Sequence, residues 1–390
     1  MTPKDILTNP YFCPMPWTGM MYNFDGSVKN CIRSNDAMPI GNLQNNNIQE
    51  ILGGVENRNR QIAIQQRQPV KSCTGCYDLE KDQRGFDGIS DRVFYIRELK
   101  ENDPSIYSSV GRPGLQAIDI RWTNLCNFAC VYCGPDFSSR WADELQMHLA
   151  TPTKEQIDSL KWYITSQANT LKHVYLAGGE PLLMKENLEL LDILKTVNPN
   201  VNLRINTNLS KVDTRVFDKI CEFKNVHWTI SAETTGDEFE YIRYGGKWTD
   251  FLDNLNTIRK LNHKISFNML WFILNFNSIF DCVDYLTGIG FHNNSFIIGA
   301  LAMPDYLNIR HLPESVLYSL EEKLNNRIAK KPGFLLEESY KNMLNYIKQP
   351  IEKNFLRSMT QLNELDQRRN LDSSKIFKEL YNIKENYHGK

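Results

Sequence analysis

Nine cysteines stand at positions 13, 31, 73, 76, 126, 130, 133, 221 and 282, and seven of them fall into two spaced groups. Cys126, Cys130 and Cys133 form a C-x3-C-x2-C run. Three thiolates on one tight loop can hold three irons of an iron–sulfur cubane and leave the fourth iron without a protein ligand. This follows a general rule of metal sites: closed coordination serves structure, and one open position serves reactivity. Zinc is the competitor, but a three-cysteine zinc site wants a fourth cysteine or a histidine nearby, and none of the seven histidines lies in this loop. Cys13, Cys31, Cys73 and Cys76 make the second group, C-x17-C-x41-C-x2-C. A terminal knuckle with two distant thiols has the pattern of a closed metal site, and spacing alone does not separate zinc from iron–sulfur there. Cys221 and Cys282 stand singly beside apolar neighbours on expected helices and read as buried, inert thiols. The histidines form no HxxxH, HExxH or Cys/His pairing, so neither a His-metal site nor a Cys–His nucleophile is expected.

The elements that must position these thiols are legible from Ala117 onward. Short β-branched or aromatic runs alternate with amphipathic stretches of helical length, the mark of βα units around a parallel sheet. Strands are expected at Ala117–Trp122, His173–Ala177, Asn202–Asn206, Val226–Ser231, Lys264–Phe272 and Ser295–Gly299. Helices are expected from Lys154, behind a Thr153/Gln156 capping box, and over Glu186–Lys195, Thr214–Glu222, Phe251–Lys260 and Ile279–Thr287. Six such repeats can curl into a partial TIM-like (β/α)6 barrel, whose chemistry sits at the C-terminal ends of its strands. Residues 1–112 break this rhythm. They are rich in Asn, Gln, Gly and Pro, with short strands at best (Gly19–Asn23, Val28–Ile32), and need a staple that four cysteines can supply. Residues 305–390 are charged, with apolar residues stepping by three or four (Leu317, Leu320, Leu324, Ile328), which predicts two or three amphipathic helices. The expected organisation is therefore α/β: a loop-rich four-cysteine module over 1–112, a (β/α)6 barrel over 113–304 and a helical extension over 305–390.

Composition bounds the rest. A chain of 390 residues with 41% hydrophobic and 23% charged residues suits a soluble α/β unit with appendages. A net charge of −1 gives no bulk electrostatic case for nucleic acid or an anionic membrane. No apolar run approaches the roughly 18 residues that would span a bilayer, and MTPKDILTNP lacks a charged-then-apolar signal pattern. The expectation is a cytoplasmic protein in a reducing compartment, where clustered cysteines are ligands or catalytic thiols rather than disulfides.

The run Thr123-Asn124-Leu125-Cys126-Asn127-Phe128-Ala129-Cys130-Val131-Tyr132-Cys133, placed after the first expected barrel strand, resembles the signature of the radical S-adenosylmethionine (SAM) enzymes, down to the aromatic Tyr132 before the last cysteine. The resemblance implies that a [4Fe–4S] cluster on Cys126, Cys130 and Cys133 is chelated by SAM at its open iron. Electron transfer then yields a 5′-deoxyadenosyl radical that abstracts hydrogen from a substrate, with the cofactor carrying the hard chemistry. Further segments match the family in order. Gly178-Gly179-Glu180-Pro181 resembles the motif in which glycines let backbone approach the methionine moiety and Glu180 accepts from its ammonium. Asn206-Thr207-Asn208 resembles a Thr-Asn-Gly turn, with Leu209 in place of the glycine, and Asn206 and Asn208 would share a strand face. Ser231-Ala232-Glu233 resembles a Ser-x-Asp segment that contacts the ribose and carboxylate, with Glu for Asp, and Arg243 follows it. The implied SAM contacts are thus Tyr132, Gly178, Gly179, Glu180, Asn206, Asn208, Ser231, Glu233 and Arg243, with Asn268 and Asn275 as further polar residues near strand five.

Asp25-Gly26-Ser27-Val28-Lys29-Asn30-Cys31, the following Gly41-Asn42-Leu43 and the late C-x2-C resemble SPASM/twitch modules, which hold auxiliary [4Fe–4S] clusters. Here the module precedes the barrel rather than following it, and four cysteines fit one cluster. The resemblance implies an oxidoreductase or maturase of a peptide or protein, with a carbohydrate or small-metabolite dehydrogenase as the alternative. It also implies a low-potential electron donor of flavodoxin or ferredoxin type. A non-catalytic zinc protein presenting its helical tail to a partner is the rival from another class, and an RNA-modifying enzyme is a third reading that the net charge does not encourage.

Overall fold

The computed structural model describes residues 8–81, 90–98, 107, 114–351 and 354–387. The boundary expected at 112/113 lies outside the described residues. The chain divides into two compact units: Met1–Leu125 with Gln146–Asn206 and Asp213–Val226, and Cys126–Leu145 with Thr207–Val212 and His227–Lys390.

In the first unit, three strands of the N-terminal segment, β1 (Gly19–Tyr22), β2 (Ser27–Lys29) and β3 (Gly41–Asn42), adjoin β4 (Ala117–Ile120), β5 (His173–Leu176) and β6 (Asn202–Thr207). The β1–β2 and β2–β3 pairs are antiparallel, while β1 runs parallel to β4 with Gly19 opposite Ala117. The β4–β5 and β5–β6 pairs are parallel, and Ile118, Val174 and Leu203 share one row. Because β1 shares backbone hydrogen bonds with β4, the compact units do not follow the three-part sequence division: the described residues before β4 cluster with the strands beside them. The Lys154–Ser166 helix opens on the expected capping box, with Thr153 and Gln156 bonding each other's backbone.

The N-terminal segment also corrects the expectation of short strands at best. It contains helices at Ile48–Leu52, Val55–Gln65, Thr74–Lys81 and Asp91–Glu98. The second of these has a polar buried face: Asn57 and Gln61 donate to the Pro16 carbonyl at 3.0 and 2.9 Å, and Arg60 reaches Asn30 and Ser34. A search for apolar residues every three or four positions does not see a face built from satisfied amides.

In the second unit, β7 (Val226–Ser231), β8 (Lys264–Trp271) and β9 (Phe296–Ala300) pair in parallel. Each faces its helices with large apolar side chains, among them the fully buried Trp228, Phe267 and Trp271. The C-terminal region forms helices Glu314–Ala329, Phe334–Ile347 and Phe355–Arg369, then two short ones at Ser373–Ile376 and Lys378–Glu385. Six strands from Ala117 to Ala300, each followed by helix, give the α/β class of a partial TIM-like (β/α)6 barrel.

Candidate active site

In the second unit the Cys126–Cys133 segment is a loop fixed largely by its backbone. Ala129 and Val131 donate to the carbonyls of Tyr244 and Ile242, each at 2.8 Å, and the Cys133 amide closes a turn on the Cys130 carbonyl at 3.0 Å. The Ser139–Glu144 helix begins just downstream with Ser138 as its N-cap. Ser138 Oγ also donates to the Phe128 carbonyl at 2.5 Å, and Trp141 Nε1 donates to the Cys130 carbonyl at 2.7 Å. Cys130 is buried, while Cys126 and Cys133 are half-buried.

Nitrogen donors approach two of the sulfurs. Asn208 Nδ2 lies 3.7 Å from Cys126 Sγ, and Arg243 Nη1 lies 3.9 Å from Cys130 Sγ. The hydrogen bond from the Cys133 thiol and the nearby Arg243 cation hold Cys130 below the ordinary thiol value. Cys133 is pushed well up by that same hydrogen bond and by burial.

Three of the expected SAM contacts form one constellation, with Glu233 and Arg243 buried and Tyr132 half-buried. Arg243 and Glu233 are 2% and 1% exposed and form a two-pronged ion pair, Nε to Oε2 at 2.8 Å and Nη2 to Oε1 at 3.0 Å. Tyr132 donates to Glu233 Oε1 at 3.1 Å, and its ring meets Phe272 edge-on. Asn275, fully buried, donates to the Glu233 carbonyl at 3.2 Å and accepts from the Phe272 amide. The Asp-to-Glu departure at 233 thus acquires a physical role: the longer carboxylate reaches the guanidinium and the phenol together. Burying a charged pair is tolerated where the geometry is two-pronged and extra hydrogen bonds satisfy the remaining lone pairs.

Asn208 does not lie on a strand face with Asn206. β6 ends at Thr207, and Asn208 sits in the turn beyond, donating to Asn127 Oδ1 at 3.2 Å and accepting from the Ser210 amide at 2.8 Å. Leu209 follows at φ 56°, so a leucine adopts the left-handed conformation that glycine supplies in the motif it resembles. Ser231 ends β7, half-buried, opposite Asn268 of β8.

In the first unit, Gly178 and Gly179 follow β5 and lie against the backbone leading into the cysteine loop. A Cβ on Gly179 would stand 2.1 Å from the Leu125 carbonyl oxygen, and the Glu180 amide donates to that same oxygen at 2.7 Å. The missing side chain is therefore required by the chain's own Thr123–Leu125 backbone. Glu180 is fully buried, and its Oε1 accepts from the Leu182 amide at 3.1 Å. On β6, the buried Asn206 Oδ1 has no hydrogen-bond partner among the described residues.

The second group of thiols is also assembled within the first unit. Cys13, Cys31, Cys73 and Cys76 all line one small cavity, together with Met15, Arg33, Ser34, Asp91 and Arg92. Its wall joins an apolar cluster of Phe12, Met15, Trp17, Ile64, Val70 and Tyr107. Burial and the neighbouring thiols push Cys13 well up and Cys31 up to about 12. Cys221 is half-buried and raised to about 11 by burial, and Cys282 is buried. Among the described residues no three His, Cys, Asp or Glu side chains converge on one point as ligands of a single metal ion do.

The radical SAM superfamily model matches residues 120–300, and the SPASM iron–sulfur cluster-binding domain model matches residues 13–77. The chain carries a radical SAM domain over residues 120–300, with a SPASM-type segment before it. Among curated relatives, the chain is 33% identical over 97 residues to 7-carboxy-7-deazaguanine synthase of Clostridium acetobutylicum, covering 25% of this chain and 39% of that protein. It is 30% identical over 91 residues to GTP 3',8-cyclase of Nautilia profundicola, covering 23% and 27%. The chain thus spans well under half the length of the curated relatives it matches. Similar solved structures include anSMEcpe with bound AdoMet (14% identity, TM-score 0.41, 55% of this chain and 60% of that one). Another is Streptococcus suis SuiB bound to S-adenosylmethionine (12% identity, TM-score 0.41, 71% and 64%).

The cofactors of the superfamily are SAM and a [4Fe–4S] cluster, and the SPASM module adds an auxiliary cluster. The residues present fit these groups. Thiolates are the donors that iron–sulfur clusters take, and three of them share one loop while four surround one cavity. The partnerless Asn206 oxygen is an acceptor of the kind that a ligand's ammonium or hydroxyl would satisfy. Among the described residues no helix is long and apolar enough to cross a membrane.

Proposed function

We propose that the protein is a cytoplasmic radical SAM oxidoreductase or maturase acting on a peptide or protein, with Cys126, Cys130 and Cys133 holding the SAM cluster and Cys13, Cys31, Cys73 and Cys76 the auxiliary one. The observation that carries this reading is the loop itself, three thiols in eight residues with Arg243 and Asn208 donating toward two of the sulfurs. Cys126, Cys130 and Cys133 would hold a cluster that, when bound, would supply one electron to SAM, splitting its S–C5′ bond into methionine and a 5′-deoxyadenosyl group able to take hydrogen from the substrate.

The chain's own residues then have distinct tasks. The Gly178-Gly179 turn, closed on the Thr123–Leu125 backbone, would bring its own backbone up to the methionine moiety of SAM, while Glu180 and Asn206 would accept from its ammonium and from a ribose hydroxyl. Glu233 and Arg243 fix the Tyr132 phenol so that its ring borders the ligand, with Asn208 and Ser231 as polar neighbours. The auxiliary site, fully ligated by four thiols, suits electron transfer rather than substrate ligation, and a flavodoxin or ferredoxin delivers the low-potential electron. The peptide assignment is supported by the SPASM module, which enzymes maturing peptides often carry. The alternative, a small metabolite, is favoured by the names of the two curated relatives, a GTP cyclase and a deazaguanine synthase.

The test is anaerobic. Purified protein is expected to be brown, with about eight irons for two [4Fe–4S] clusters, and its reduced EPR spectrum is expected to change on adding SAM, with 5′-deoxyadenosine released. A colourless zinc protein, or a spectrum indifferent to SAM, overturns the proposal.

A further inference from the structure

The C-terminal helices carry no motif, yet one of their residues reaches the cysteine loop's support. Arg369, the last residue of the Phe355–Arg369 helix, is 8% exposed. Its guanidinium contacts two aromatic rings, with Cζ 4.4 Å from the centroid of Trp141 and 4.4 Å from that of Tyr244. Its Nε donates to Glu144 Oε2 at 3.1 Å. Tyr244 has a second cationic neighbour in Arg140, whose Cζ lies 4.7 Å from the ring centroid. Trp141, Arg369, Tyr244 and Arg140 thus form a four-member cation–π cluster.

Two members of the cluster hold a carbonyl of the loop through their side chains. Trp141 Nε1 donates to the Cys130 carbonyl at 2.7 Å, and Arg140 Nη1 donates to the Asn127 carbonyl at 3.1 Å. A third acts through its backbone: Tyr244 O accepts from the Ala129 amide at 2.8 Å. Asn127, Ala129 and Cys130 are therefore tied, through one bond each, to the cluster that Arg369 completes. The helix bearing Arg369 is itself pinned: Asp366 accepts from Tyr241 OH at 2.6 Å and from Ser373 Oγ at 2.6 Å, all three groups buried.

We infer that Arg369 is a positioning residue for the SAM-cluster loop, so that the C-terminal helix acts as a latch holding the loop's carbonyls and thereby its thiols in place. The inference rests on the reading that Cys126, Cys130 and Cys133 hold a cluster, and it extends that reading to a residue far along the chain. An ammonium lacks the guanidinium's planar face and its fork of donors, so Lys at this position keeps the charge but loses the simultaneous planar contact with both rings and the Nε bond to Glu144.

The test uses the full chain, anaerobically reconstituted, and its Arg369→Met and Arg369→Lys variants. The first readout is iron release to a chelator, followed together with EPR in the presence and absence of SAM. The auxiliary cluster serves as the internal standard. The SAM-responsive cluster is expected to lose iron at least about tenfold faster in both variants, as for loss of an outer-shell support, while the auxiliary signal holds. The second readout is hydrogen exchange of the cluster-free protein at the Ala129 and Val131 amides, which is expected to accelerate in both variants. If both variants retain wild-type iron release and wild-type amide protection, the latch is overturned while the cluster assignment stands. If wild-type protein shows no SAM-responsive cluster but the variants still loosen those amides, the cluster assignment falls and the latch survives as a property of the loop. Should Arg369→Met fail to fold, Trp141→Phe, which removes the donor to Cys130 and shrinks one of the two rings beside Arg369, is expected to reproduce the faster release, and wild-type release in it refutes the latch.

Discussion

The two thiol groups are built on opposite principles. The loop thiols arrive together, within eight residues, on backbone already committed by hydrogen bonds to Ile242 and Tyr244. The other four come from three separate stretches between Cys13 and Cys76 and meet only because β1, β2 and the intervening helices are folded around them. Electrostatics differ in the same sense. At the loop, the Cys133 thiol and Arg243 favour the thiolate of Cys130, whereas in the cavity burial and mutual repulsion push Cys13 and Cys31 up. At the loop only Cys130 is favoured as thiolate, at the expense of its partner Cys133, which the shared hydrogen bond and burial push up. In the cavity, burial disfavours the thiolates of Cys13, Cys31 and Cys73 alike, so on the proposed assignment a cationic iron core would neutralise them and its filling would be coupled to folding of the surrounding unit.

The sharpest way to break this contrast is a pair of single changes. Cys130→Ala is expected to abolish 5′-deoxyadenosine formation while leaving the auxiliary iron and the fold intact. Cys31→Ala is expected to lose the auxiliary iron and to lower the unfolding midpoint of the N-terminal unit. Iron analysis, product assay and denaturation on both variants decide the matter, and equal destabilisation by the two changes would erase the distinction.

Next in size is Glu233→Gln, which leaves Arg243 buried without its counter-charge. A stability loss of about 3–5 kcal/mol is expected for breaking a buried pair from one side, measured by urea unfolding. A loss under about 1 kcal/mol, the scale of an exposed pair, would mean that the charged pair beside the loop behaves as an exposed one. Gly179→Ala tests the backbone half of the argument. The new Cβ would meet the Leu125 carbonyl oxygen at 2.1 Å, a contact that only backbone movement relieves. A loss of about 1–3 kcal/mol, typical of overpacking, and a weakened EPR response to SAM are expected. The smallest effect is assigned to Cys221→Ala: unchanged iron content and activity, because that half-buried thiol, raised to about 11, belongs to neither group.

Legibility in the sequence followed the range of the interactions. All six barrel strands stand within one or two residues of their expected positions, since a buried parallel strand writes its own apolar run between turn signals. The Thr153/Gln156 box was equally local. The Val55–Gln65 helix was not legible, because its inward face is made of Asn57, Arg60 and Gln61, polar residues whose burial is favourable only beside the particular carbonyls of Pro16, Leu52 and Met38. Arg369 left no signal for the same reason: an arginine in the polar run Gln367-Arg368-Arg369 reads as a solvated face unless Trp141 and Tyr244 are known to contact it.

The sequence by itself determined the chemistry: which atoms can bind iron, in what local spacing, and on which strands they are carried, because ligand type and short-range spacing are properties of the chain. Only the tertiary structure decided how those atoms are held. That Glu233, Arg243 and Tyr132 form one hydrogen-bonded unit beside Cys130, that β1 adds in parallel to β4, and that a C-terminal arginine completes the loop's support all depend on groups far apart in the chain. Hydrogen bonds and ion pairs of that kind gain their strength from burial, and burial is settled only when the whole chain has packed.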